Sequence, residues 1–150
     1  MVLKGLPGDI VSDPSGFYMA SVEYGWNGTV TPEKPGLTFS PASKKYEKVV
    51  EAKENENYNS APVYLKIEGT TGIGGVVLSG LPGSVTSDEK GVYSAQVEYN
   101  WTGTVVPEKE GYSFTPKERP YSGVTTNQAD QNYRGEKVYF EISGNVGLPG

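Results

Sequence analysis

The chain has 150 residues, 13 basic against 18 acidic, a net charge of −5, and neither cysteine nor histidine. No disulfide can therefore staple it, and it lacks both the commonest metal ligand and the commonest acid–base group near neutral pH. The charge is spread evenly, −2 over residues 1–75 and −3 over 76–150. No basic patch is offered to nucleic acid, and no apolar run approaches the roughly 20 residues that insert across a bilayer.

Shifting the numbering by 75 lays the first half on the second with 34 of 75 pairs identical, so the pattern is one unit written twice. In chain order it begins with turn sequences, Gly5-Leu6-Pro7-Gly8 and Gly80-Leu81-Pro82-Gly83. A second turn follows at Ser12-Asp13 and Ser87-Asp88, where the carboxylate can accept backbone N–H groups and Gly91 can take positive φ. Next comes strict alternation: Tyr93, Ala95, Val97 and Tyr99 face one way and Ser94, Gln96 and Glu98 the other, with Tyr18, Ala20, Val22 and Tyr24 as the copy. A period of two with one polar side predicts a half-buried strand in each copy. Strands are then expected at 27–31 and 102–106, turns at 32–36 and 107–111, and strands at 37–39 and 112–114, ended by Pro41 and Pro116.

The stretches 46–58 and 121–133 are less regular, with one short strand expected around Val49 or Val124 and another around Tyr58 or Tyr133. The late signal is sharper. Val63, Leu65 and Ile67 should face inward together, as should Val138, Phe140 and Ile142, with Tyr64 and Tyr139 outward. No stretch has a 3.6-residue apolar period, so the expected fold class is all-β, a tandem pair of β-sandwiches without helix.

The order Ile67-Glu68-Gly69, Gly74-Gly75-Val76-Val77-Leu78-Ser79-Gly80, Ser87-Asp88, Gly91, Tyr93 and Gly111-Tyr112-Ser113-Phe114 resembles the carboxypeptidase regulatory-like and Cna protein B-type families of bacterial surface proteins. The resemblance covers nearly the whole chain. It implies prealbumin-like or Ig-like sandwiches of about seven strands, each opening on the Ile-x-Gly strand. In that phase residues 62–135 form a complete domain, 1–61 form a sandwich lacking its opening strand, and 136–150 carry a spare one. Val138, Tyr139, Phe140, Glu141 and Ile142 are then a donor strand for 1–61, either within the chain or in a neighbouring molecule. The second route is expected, because linearly arrayed domains leave the last strand little slack; it gives a homo-oligomer, closed or head-to-tail. The resemblance also implies an extracellular or cell-surface location, with an export signal outside these residues, and a role as spacer or stalk.

Glu23 or Glu98 on a strand and Glu33 or Glu108 in a hairpin could pair as acid and base, but they read better as solubilising surface charge. One carboxylate per turn, Asp13 or Asp88, is too little for calcium. The Cna protein B-type resemblance implies an isopeptide bond between a first-strand lysine and a last-strand asparagine or aspartate, with a buried acid between them. Lys66 faces outward, its copy is Glu141, and no lysine recurs with Asn57, Asn132 and Glu98, so the bond is not expected. No catalytic, cofactor-binding or metal-binding residue is therefore assigned. Trp26 and Trp101, with Tyr24 and Tyr99, could stack on a polysaccharide at a sandwich tip. Their alternative role is to close the core end against Gly28 and Gly103.

Overall fold

A computed structural model describes residues 1–147, in two compact units: Met1–Tyr64 with Glu98–Asn100, and Leu65–Val97 with the chain from Trp101 onward. Among the described residues the regular structure is all strand, in several antiparallel sheets, with no helix.

The first unit contains β1 (Val2–Lys4), β2 (Ile10–Val11), β3 (Trp26–Glu33), β4 (Leu37–Ser40), β5 (Lys44–Val49) and β6 (Asn59–Pro62). One sheet runs β2-β1-β3-β5 and a second pairs β4 with β6. β3 begins at Trp26 and continues through Pro32 to Glu33, where residues 27–31 were expected as strand and 32–36 as turn. Proline fits because β5 pairs with β3 only from Trp26 to Val30. At Pro32 the single neighbour is Leu3 of β1, so the missing N–H can face an open edge. Gly5 ends β1 at φ +92, where a Cβ would lie 1.9 Å from the Thr29 carbonyl oxygen. Only glycine permits both that conformation and that approach.

The second unit contains β7 (Tyr64–Thr70), β8 (Val77–Ser79), β9 (Val92–Glu98), β10 (Trp101–Glu108), β11 (Tyr112–Thr115), β12 (Arg119–Val124) and β13 (Arg134–Lys137). Its sheets are β12-β10-β8, β11-β13 and β7-β9. β10 repeats the long reach of β3, with Pro107 opposite Leu78. β13 pairs Tyr112 with Lys137, and β6 pairs Leu37 with Pro62, so both strands begin after Tyr58 and Tyr133 instead of at them. Ile67, Val76, Leu78, Tyr93, Ala95, Val97, Val105, Phe114, Val124 and Tyr133 form one buried core.

The two copies part at the central strand. Tyr93, Ala95 and Val97 are buried in β9, as the alternation predicts. Their copies Tyr18, Ala20 and Val22 are only half-buried, and residues 17–23 form no strand. The expectation of a strand there is corrected, and the reason is pairing: β9 lies against β7, while no described residue takes that place beside 17–23. The buried apolar residues of the first unit are Leu3, Val30 and Val49, a much smaller core.

The late strand shows the same split. β7 forms as expected, with Ile67 0% exposed. Its copy forms no strand among the described residues 138–147, and Phe140 and Ile142 are 89% and 100% exposed instead of facing inward. Val138 donates its N–H to the Gly111 carbonyl at 2.9 Å. Residues 148–150, the end of the expected donor piece, lie outside the described residues.

Candidate functional site

The first unit carries a groove of about 1020 Å3 lined by Trp26, Val30, Tyr46, Val49 and the segments 16–24 and 50–58. Its origin follows from the second unit. There β7 is bracketed by β9 on one edge and by residues 127–133 on the other, through Glu68 N–H to Gln128 O (2.9 Å), Gln128 N–H to Lys66 O (2.7 Å), Gln131 N–H to Glu68 O (3.0 Å) and Tyr133 N–H to Thr70 O (2.7 Å). The groove is lined by the copies of both brackets, residues 17–23 and 52–58, with no strand between them among the described residues.

The turns that flank the groove nevertheless match their copies. Asp13 accepts the Phe17 N–H on its carboxylate at 2.9 Å and donates its own N–H to the Phe17 carbonyl at 2.8 Å, as Asp88 does with Val92 at 2.8 and 2.9 Å. The side-chain hydrogen bond from Ser15 is the main influence holding the Asp13 carboxyl below its usual range. Across the groove, Asn55 has φ +59 where Asp130 has +55, and the same N–H to carbonyl bond, 2.8 Å, closes both turns (Asn57 to Asn55, Asn132 to Asp130). Tyr18 Oη donates to the Glu56 carbonyl at 2.6 Å, the counterpart of Tyr93 donating to Gln131.

A matching set of tyrosine hydrogen bonds recurs in each unit. Tyr58 Oη donates to Val30 O at 3.1 Å and Tyr133 Oη to Val105 O at 3.2 Å. Tyr46 Oη donates to Glu56 Oε2 at 3.0 Å, and Tyr121 Oη to Gln131 Oε1 at 2.9 Å. Lys44 pairs with Glu56 at 2.9 Å and, by this hydrogen bond first, holds the Glu56 carboxyl below its usual range. Sequence reasoning missed this network. Its signal was the survival of Tyr46/Tyr121 and Tyr58/Tyr133 in stretches where most neighbours differ.

These phenols resist ionisation. Burial pushes Tyr58 up to about 12 from 10.0, and burial likewise raises Tyr18, Tyr46, Tyr93, Tyr121 and Tyr133. A phenol whose folded pKa is raised stabilises the fold fully below its unfolded pKa, and that contribution disappears as pH climbs through the folded value. The melting temperature should therefore be insensitive to these groups below about pH 10 and fall steeply between about pH 10 and 12. Phenolate absorbance recorded alongside should show late-ionising tyrosines that titrate normally in denaturant; a single titration identical in both solvents would refute this.

Trp26 and Trp101 open β3 and β10, are half-buried, and tilt against Tyr46 and Tyr121 with centroids 5.9 and 5.8 Å apart. Both rings lie over the glycine two residues on: a Cβ at Gly28 or Gly103 would come within 2.2 or 2.4 Å of a ring carbon. Tyr24 is 83% exposed, whereas Tyr99 is half-buried, so the aromatic platform is not the same in the two copies. Glu33 pairs with Lys4 at 2.6 Å, and Glu108 accepts the Ser79 hydroxyl at 2.8 Å. Glu23 and Glu98 are exposed. Lys66 pairs with Glu68 at 2.6 Å, while Asn132 Oδ1 accepts the Thr70 N–H at 2.9 Å and Asn57 is exposed. Among the described residues there is no grouping of three or more carboxylates suited to a metal ion, and no helix long and apolar enough to cross a membrane.

Comparison of the chain with protein-family models, curated proteins and solved structures finds no match.

Proposed function

We propose that the chain is a non-catalytic spacer segment of a bacterial extracellular or surface protein, built from tandem prealbumin-like or Ig-like β-sandwiches of the kind its sequence resembles. The observation that carries this reading is where the shared residues go. Gly5/Gly80 make the close turn, Asp13/Asp88 the turn lock, Tyr18/Tyr93 and Tyr58/Tyr133 the same carbonyl contacts, and Trp26/Trp101 the same stack on tyrosine. What repeats is the scaffold. Repetition that preserves scaffold and varies surface suits an array whose product is length.

The competing reading is a carbohydrate-binding module using Trp26, Trp101, Tyr24 and Tyr99. One set of measurements separates the two. In engineered chains of increasing copy number, the maximum dimension from small-angle scattering should rise by an equal step per 75-residue copy, and soluble polysaccharides should leave tryptophan fluorescence unchanged. Growth in dimension as about the cube root of mass would overturn the spacer. A saturable fluorescence shift, lost in Trp26→Phe or Trp101→Phe, would establish the sugar site.

A further inference from the structure

We propose that the groove of the first unit is a strand-acceptor site whose occupant is residues 139–145 of a second copy of this chain, added as a β-strand between residues 17–23 and 52–58. This deepens the spacer reading and rests on it, since it gives the array a way to extend from molecule to molecule.

The second unit supplies the template. Adding 75 to each β7 position gives the donor: Tyr139 for Tyr64, Phe140 for Leu65, Ile142 for Ile67 and Gly144 for Gly69. The inward apolar residues are retained as apolar and the outward tyrosine is identical. On the acceptor side, Tyr18, Ala20, Val22, Trp26, Val30, Tyr46, Val49 and Tyr58 are identical to residues that belong to, or pack against, the second unit's core around Ile67. Ile67 is fully buried in that setting, and Ile142 is fully exposed without it. Moving Phe140 and Ile142 from water into the groove supplies the driving force, because apolar surface leaves water.

Backbone polarity argues in the same direction. An added strand would receive the four bonds that β7 makes with residues 128–133, here offered by Lys53 O, Lys53 N–H, Glu56 N–H and Tyr58 N–H. Asn57 keeps the amide oxygen that, in Asn132, accepts the Thr70 N–H. Gly69 is required because a Cβ there would meet the Gln131 carbonyl oxygen at 2.4 Å. Glycine is kept at 144, where nothing lies within 4 Å in this chain. The acceptor turns at Asp13 and Asn55 already hold the geometry of their copies, so docking has only the incoming strand and the edge at residues 17–23 to order.

The donor's origin favours a second molecule. β13 ends at Lys137, and Val138 alone separates it from Tyr139, just as Val63 alone separates β6 from β7. Within this chain residues 139–145 form no strand, and Phe140 and Ile142 stay exposed. Donor and acceptor are different surfaces, so the contact is heterologous and propagates unless it closes into a ring.

The test uses the intact 150-residue chain. Light scattering should show mass rising with concentration, with hydrogen exchange slowing at residues 17–23 and 53–58 in the assembled form. Ile142→Asp should weaken association by roughly 100-fold or more while leaving the monomer's circular dichroism unchanged, because it would place a carboxylate in an apolar slot. Gly144→Val should do likewise through steric overlap. A blocked synthetic peptide of residues 138–147 should bind the chain and lower its mass, and a scrambled peptide should do neither. A mass levelling off at two chains with the same exchange pattern supports reciprocal donation in a closed ring. A monomer at every concentration with fast exchange in both segments overturns the proposal and leaves the spacer reading to its own scattering test. A monomer with residues 17–23 protected overturns the second-copy occupant, and assembly unaffected by Ile142→Asp overturns the site.

Discussion

Ile67→Ala should destabilise the second unit by about 2–5 kcal/mol, whereas Ile142→Ala, the same substitution one repeat later, should change the unfolding free energy of the dilute monomer by less than about 0.5 kcal/mol. Ile67 is fully enclosed by the core that contains Val76, Leu78, Tyr93 and Val97, and truncation removes apolar burial and leaves a void. Ile142 has nothing to lose, since its side chain is already in water. Urea unfolding followed through Trp101, in a Trp26→Phe background, would report the second unit alone. Equal effects at the two positions would refute the account of both.

Gly80→Ala should cost more than about 3 kcal/mol, enough to unfold a unit of this size, and Gly5→Ala should do the same to the first unit. Two penalties coincide at Gly80. Its φ of +93 disfavours any side chain, and a Cβ would sit 1.9 Å from the Thr104 carbonyl oxygen, a backbone atom of β10 that cannot swing aside. β8 would have to part from β10 to admit one methyl group. Gly83→Ala is the control: φ is +79, but the space around it is open, so only the conformational penalty of about 1 kcal/mol applies. Thermal denaturation of the three variants separates collision from conformation. Gly83→Ala as damaging as Gly80→Ala would show that φ alone matters.

Local chemistry was legible in the sequence wherever a few adjacent residues decide the outcome. The Asp88–Gly91 turn forms with the carboxylate accepting the Lys90 and Val92 N–H groups and Gly91 at φ +82. β4 and β11 end at Ser40 and Thr115, immediately before Pro41 and Pro116, as expected. The reach of β3 and β10 through their prolines was not legible, because it depends on which edge of the strand is left without a partner. The groove was only half legible. The repeat placed Tyr18, Tyr46 and Tyr58 at matching positions, but did not reveal that the turns at Asp13 and Asn55 would share the geometry of their copies, nor that Glu56 would join Tyr18, Tyr46 and Lys44 beside the groove.

By itself the sequence determined that this chain is a doubled all-β pattern, where its turns fall, and which residues share a face, since these depend on neighbours a few positions apart. It did not determine which of its equivalent segments are strands. Tyr18-Met19-Ala20-Ser21-Val22 and Tyr93-Ser94-Ala95-Gln96-Val97 alternate alike, as do residues 63–67 and 138–142, yet only the second member of the first pair and the first member of the second are strands. A strand makes its hydrogen bonds with another segment, so its existence rests on a partner that its own residues do not contain. Where β7 and β9 find each other both are ordered and buried; their copies, without such partners, leave a groove and an exposed apolar segment in the same molecule.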